Sequence, residues 1–188
     1  MKKLAMRKLI VHKKDIPNLL TVGRVVVIPL FVAAFYLPAP VNHCVAASLF
    51  ALAAITDFFD GFFARKWQVT SRLGQMLDPI ADKLLVAAAL LMLAAQGVAP
   101  IIPALVILLR ELFVSGLREY MAKFNVTVQV TRLAKLKTTV QMVAIFILLL
   151  NPGVSSIFAG ALLLWAAAAL TAFTGWQYFR ACWPELRK

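Results

Sequence analysis

The chain has 188 residues, of which 62% are hydrophobic and 15% charged, and its mean hydropathy is +0.85. A soluble globular domain carries about 25% charged residues, so this composition excludes that class and points to a membrane as solvent. The formal net charge of +12 would suit nucleic acid in a soluble protein. No aromatic–basic module or zinc-finger spacing accompanies it here, and the basic residues sit between apolar runs, where anionic lipid headgroups would meet them; no nucleic-acid partner is expected.

Residues 1–17 open the chain as a basic, amphipathic juxtamembrane segment, with Leu4, Leu9, Ile10 and Val11 interspersed among lysines. The apolar stretch behind it contains Arg24, ends in Pro38-Ala39-Pro40 and has no small-residue cleavage site, so it is expected to be retained rather than processed. Residues 18–188 read as one domain, since no linker or internal repeat divides them. Cys44 and Cys182 lack any metal or redox spacing and read as small apolar filler.

A hydrocarbon core of ~30 Å needs about 20 apolar residues per helix. Six such segments follow in order: Asn18 to Leu37, Asn42 to Phe63, Pro79 to Val98, Ile101 to Ala122, Leu136 to Leu150 and Ser155 to Tyr178. Backbone polar groups must be satisfied internally in lipid, which predicts an all-α integral membrane fold of six transmembrane helices. Three connections carry no formal charge: Pro38 to Val41, Gln96 to Pro100 and Asn151 to Gly153. The others carry Lys13 and Lys14, then Arg65, Lys66 and Arg72, then Lys123, Arg132, Lys135 and Lys137, then Arg180, Arg187 and Lys188. The positive-inside rule places the basic ends, and both termini, in the cytoplasm.

Of the eight acidic residues, four fall in one stretch: Asp57, Asp60, Asp78 and Asp82. On helices the first pair shares one face by its i,i+3 spacing, and the second by its i,i+4 spacing. A short connection between the second and third segments makes them antiparallel neighbours, so the four carboxylates are expected to converge at the cytoplasmic boundary. Unscreened, they would repel one another. A set of oxygen donors without Cys or His favours Mg²⁺, Mn²⁺ or Ca²⁺, and four carboxylates suffice for two ions bridging a diphosphate. The plain alternative, helix capping, accounts for Asp78 before Pro79 but not for Asp57 and Asp60 near a helix end, where negative charge is unfavourable. Gly61 beside them permits close approach of a ligand or a neighbouring helix.

Written out, the stretch is Asp57-x2-Asp60-Gly61-x2-Ala64-Arg65-x8-Gly74-x3-Asp78-x3-Asp82. It resembles the signature of the CDP-alcohol phosphatidyltransferases at every fixed position. The resemblance implies metal ligation by Asp57, Asp60, Asp78 and Asp82, with two bound ions, Mg²⁺ or Mn²⁺. It gives Asp82 the further role of general base toward the acceptor hydroxyl. It also implies binding of CDP-diacylglycerol by Asn18, Thr21, Gly61, Arg65, Ser71 and Gly74, Arg65 pairing with the diphosphate. The acceptor oxygen would attack the phosphorus that carries diacylglycerol, and CMP would leave. The resemblance further implies a homodimer among membrane lipids in a bacterial inner membrane, with the active site facing the cytoplasm.

Outside the signature, Asn18-Leu19-Leu20-Thr21-x2-Arg24, Arg110-Glu111-x3-Ser115-Gly116-Leu117-Arg118-Glu119-Tyr120 and Lys135-Leu136-Lys137-Thr138 are similar to the bacterial branch that uses glycerol 3-phosphate as acceptor. Ala134, where that branch often has Gly, is a mild departure. A dianionic acceptor needs fixed cations. Arg110 and Arg118, about two turns apart on one helix, together with Lys135 and Lys137, are the expected acceptor-phosphate residues. The lysines would also serve as plain positive-inside anchors. Arg24 would contact the site, meet a headgroup or pair with an acidic neighbour. The alternatives are the same chemistry with another acceptor, phosphatidylglycerol or inositol phosphate, or ion-coupled transport along membrane carboxylates. Against transport, the acids cluster at one face rather than along a path.

Overall fold

The computed structural model describes residues 16–67, 72–124, 132–150 and 153–187; within these, the side chains of 16–22, 57–67, 72–79, 132, 134 and 135 lie outside the description. The described residues form six α-helices and no strand: α1 (Ile16–Ala34), α2 (Val41–Trp67), α3 (Arg72–Ala95), α4 (Ile101–Ala122), α5 (Arg132–Leu150) and α6 (Val154–Leu186). The six apolar segments read from the sequence therefore each become a helix. The bounds of α4 coincide with the reading.

Two ends differ from the reading in a way that matters for the site. Helix α2 runs on to Trp67, so Asp57 and Asp60 sit within a continuing helix rather than at its end. Helix α3 starts at Arg72, so Asp78 and Pro79 are internal, and the capping explanation of Asp78 falls away. The sequence places Asp57 and Asp60 on one face of α2 and Asp78 and Asp82 on one face of α3.

The turn between α3 and α4 is built by Gly97. Its φ of 72° lies in the left-handed region that glycine adopts without a steric penalty. The Val98 amide donates to the Leu93 carbonyl (3.0 Å) and the Gly97 amide to the Ala94 carbonyl (3.0 Å), which satisfies the last carbonyls of α3 and stops it sharply. So tight a reversal makes α3 and α4 antiparallel.

Helix α1 packs against both α2 and α3, α5 against α2, α3 and α6, and α4 against α3 and α6. Their common core holds Phe31, Phe50, Leu90, Ile107, Leu148 and Leu164, all buried. The α5–α6 seam is close because Gly160 faces Leu148 and Ile147: a Cβ there would lie 2.8 Å from the Leu148 side chain. Small residues at helix seams are how membrane helices gain packing contact.

The outside is as apolar as the inside. Leu91, Ile101, Leu112, Phe158, Leu162 and Trp176 are all exposed, a surface that a water-soluble monomer does not present. Among the described residues, helix α6 alone contains a stretch long and apolar enough to cross a membrane. Among the same described residues, α1, α2 and α5 contribute the apolar stretches Gly23–Ala34, Val41–Thr56 and Leu136–Leu150.

Candidate active site

Asp82 is the pivot. It projects from α3 half-exposed, with 49% of its side chain accessible, while Arg24 of α1, whose side chain is 0% accessible, holds its Oδ1 at 2.9 Å through Nη1. A buried guanidinium is costly unless paired, so the pair fixes the carboxylate's position. This settles the reading of Arg24, whose solitary charge in an apolar segment was the signal that it had a partner within the fold.

Two cavities of opposite character meet at Asp82. The first, about 260 Å³, lies between α3, α4 and α5 and is walled by charged and polar residues, among them Lys83, Glu111, Arg118, Lys137 and Gln141. The second, about 360 Å³, lies between α2, α3 and α5 and is mostly apolar, with Ala53, Ala54, Leu85, Met142 and Val143 in its wall. Ala54, Met142 and Val143 also line a further apolar groove of about 270 Å³, closed by Phe50 and Phe146. Apolar space thus runs along α2 and α5 from the Asp82 carboxylate.

The polar cavity is wired across its helices. Lys83 hydrogen-bonds Ser115, whose hydroxyl in turn donates to the Glu111 carbonyl at 2.7 Å. The Glu111 carboxylate pairs with Lys137 of α5 and, at 3.3 Å, with Arg110. Both carboxylates of the wall, Asp82 and Glu111, therefore have an arginine paired with them, and Lys83, Arg118 and Lys137 leave the cavity attractive to an anion. Arg118, exposed at the wall, also sits 5.9 Å from the centre of the Tyr178 ring, a cation–π distance that restricts its swing.

The two arginines of α4 part company. An eight-residue spacing on an α-helix turns the second residue about 80° from the first, whereas seven residues leave about 20°. Arg118 accordingly shares the cavity with Glu111, and Arg110 does not line it. Arg110 lies against α6, donating from Nη2 to the Thr174 hydroxyl at 3.2 Å and packing its stem over Gly175. The expectation that both arginines share a face is corrected by that angle: Arg110 bears on the cavity through its bond to Glu111.

Of the other residues singled out from the sequence, Lys137 lines the polar cavity and is buried. Asn18, Thr21, Asp57, Asp60, Gly61, Arg65, Gly74, Asp78 and Lys135 lie on helices, but their side chains fall outside the described residues; Ser71 falls outside altogether. Residues not singled out but brought to the cavity are Lys83, Thr138 and Gln141, and Thr139 reaches the apolar one. Their signal was spacing: Lys137, Thr138 and Gln141 at i, i+1 and i+4 share a face, as do Asp82, Lys83 and Val86.

A hard divalent cation fits the donor chemistry. Asp82 presents a partly exposed carboxylate where the two cavities join, and the companion acids on α2 and α3 offer oxygen only.

A model of the CDP-alcohol phosphatidyltransferase family matches residues 14–173. The chain belongs to that family. Among curated proteins, the CDP-diacylglycerol–glycerol-3-phosphate 3-phosphatidyltransferase of Rickettsia typhi is 49% identical over 173 residues, spanning 90% of this chain and 97% of that one. The Rickettsia felis enzyme of the same name is 48% identical, with 90% and 96% covered. That of Escherichia coli is 43% identical over 176 residues, with 92% and 97% covered. As a CDP-alcohol phosphatidyltransferase, the chain has the aspartate stretch of α2 and α3 inside the matched region, together with α4 and α5.

Proposed function

We infer that this CDP-alcohol phosphatidyltransferase transfers the phosphatidyl group of CDP-diacylglycerol to glycerol 3-phosphate, giving phosphatidylglycerophosphate and CMP in phospholipid biosynthesis. The observation that carries the reading is the position of Asp82 between a small cationic cavity and an apolar groove. Pockets for drug-sized ligands span about 300–1,000 Å³. A polar space of about 260 Å³ suits a small polyol phosphate and not a nucleotide-linked lipid. The apolar space along α2 and α5 suits the diacylglycerol part of the donor.

Arg118 and Lys137 hold the acceptor's phosphate, with Lys135 placed two residues before Lys137 on α5. Arg110 shares the Glu111 carboxylate with Lys137. Asp82, oriented by Arg24, takes the proton of the acceptor hydroxyl as its oxygen attacks the phosphorus bearing diacylglycerol. Asn18, Thr21, Gly61, Arg65, Ser71 and Gly74 bind the CDP moiety. Two divalent ions, Mg²⁺ or Mn²⁺, held by Asp57, Asp60, Asp78 and Asp82, neutralise charge on the diphosphate when bound. Positioning and electrostatics supply the rate enhancement, with no covalent enzyme intermediate.

The chain crosses a bacterial inner membrane six times with both termini cytoplasmic, which the alternation of basic and uncharged connections and the apolar exterior support. Residues 1–17 lie on the membrane surface as an amphipathic lead to the domain of 18–188. The family resemblance supports a working homodimer. The test is CMP release by purified protein from CDP-diacylglycerol, acceptor by acceptor, with and without Mg²⁺. Release with glycerol 3-phosphate and metal is expected. Release only with phosphatidylglycerol or an inositol phosphate would replace the acceptor, and metal-independent release would remove the ions.

A further inference from the structure

One buried polar atom in the cationic cavity has no counterpart in the fold. Gln141 of α5 is 3% exposed and lines the cavity, yet its side-chain carbonyl oxygen, Oε1, accepts no hydrogen bond. Buried acceptors are almost always satisfied, and one left open in a polar cavity is a place for a donor from outside the chain. The nearby cationic donors have partners of their own: Lys137 is engaged by Glu111, and Lys83 by Ser115.

The neighbourhood narrows what that donor is. Along α5, Gln141 stands one turn beyond Lys137 on the same face, and the corresponding positions on α3 and α4 are the apolar Val86 and Leu108. Because α4 runs antiparallel to α3, Arg118, Glu111 and Leu108 follow in the direction in which Lys137 and Gln141 follow on α5. One end of the cavity is thus cationic, and Gln141 belongs to the other. A phosphate would bind at the cationic end. Its oxygens are acceptors and have nothing to give Oε1. A neutral hydroxyl does.

We propose that Gln141 reads the non-reacting secondary hydroxyl of the acceptor, accepting its O–H at Oε1 and so selecting a phosphorylated triol over a phosphorylated diol. The inference rests on the acceptor assignment above: the primary hydroxyl gives its proton to Asp82, the phosphate meets Arg118 and Lys137, and the secondary hydroxyl is the one group left over. Gln141 is then a specificity-determining residue that touches substrate without taking part in bond making. A site built to bond a substrate hydroxyl discriminates strongly against the analogue that lacks it, because its own polar group is then stranded.

The experiment compares kcat/KM for glycerol 3-phosphate and for 3-hydroxypropyl phosphate, which lacks only the secondary hydroxyl, in the full chain with CDP-diacylglycerol and Mg²⁺. The wild type should favour glycerol 3-phosphate by about tenfold or more. Gln141→Leu and Gln141→Met should bring the two acceptors to near parity, the fall being confined to glycerol 3-phosphate. This ratio does not depend on how much of a variant folds. A wild type without preference, or variants that keep it, would overturn the proposal. So would loss of both activities in both variants while they remain folded, since that outcome makes Gln141 structural. A wild type that transfers to neither acceptor would strike the acceptor assignment itself, and this proposal with it.

Discussion

The two cavities that share Asp82 are built from the same helix, α5, turned to two neighbours. Toward α3 and α4 it presents Lys137, Thr138 and Gln141; toward α2 it presents Thr139, Met142 and Val143. One side is small and cationic, the other long and apolar, and the half-exposed carboxylate is the only ionisable group among the described residues that lines both. A transfer between a soluble anion and a membrane lipid needs this partition, because the two substrates arrive from solvents in which the other is insoluble. The residues that sort the substrates can therefore be separated from the residue that joins them.

The sharpest break is at the junction. Asp82→Asn keeps an oxygen for Arg24 but removes the base, and transfer of labelled glycerol 3-phosphate into lipid should fall by a factor of about 10³ or more, at the upper part of the range for general-base removal. Membrane insertion and helix content should persist. Near-wild-type turnover would take Asp82 out of the base role.

On the cationic side, Arg118→Ala removes an exposed, cavity-lining guanidinium whose other contact is the Tyr178 ring. A charge-assisted contact of about 1.5–3 kcal/mol corresponds to a rise of roughly tenfold to a hundredfold in the apparent KM for glycerol 3-phosphate. The KM for CDP-diacylglycerol should move by less than about twofold, since the donor lies on the other side. Equal effects on both substrates would dissolve the distinction between the two spaces.

How far the sequence carried this picture depends on whether a feature is local. The helices were legible because each is a predominantly apolar segment about long enough to span a bilayer, and the α3–α4 turn because Gly97 marks it. The solitary cost of Arg24 was legible from its place in an apolar segment. The start of α3 was not, since Pro79 mimics a helix start whereas the helix begins at Arg72. Nor was the parting of Arg110 and Arg118. Their eight-residue spacing resembles two turns, and the accumulated angle that sends one to α6 matters only once a neighbour stands there. Gln141 was invisible for a different reason: what marks it is an unmet hydrogen bond, which exists only once the helices have packed around it.

On the apolar side, Ala54 lines both apolar spaces from α2. Ala54→Phe should fill part of that volume and raise the KM for CDP-diacylglycerol several-fold, a change worth about 1 kcal/mol, while the acceptor KM stays put. An acceptor effect as large as the donor effect would mean that the two spaces are one.

The smallest effect on this partition should come from a place that touches neither cavity yet sits on the same helix. Gly160 of α6 faces Leu148 and Ile147 of α5, so the methyl of Gly160→Ala would arrive 2.8 Å from the Leu148 side chain and force the seam apart. Overpacking of this kind costs about 1–3 kcal/mol, so the variant should unfold at lower temperature in detergent. Leu148 lies beyond Phe146, the last α5 residue at the apolar groove, and the displacement should be absorbed there. Both KM values should then remain within about twofold of wild type in the folded fraction. If instead one KM moves alone, α5 transmits strain along its length, and the separation of the two cavities rests on the α5–α6 seam as well as on the residues that line them.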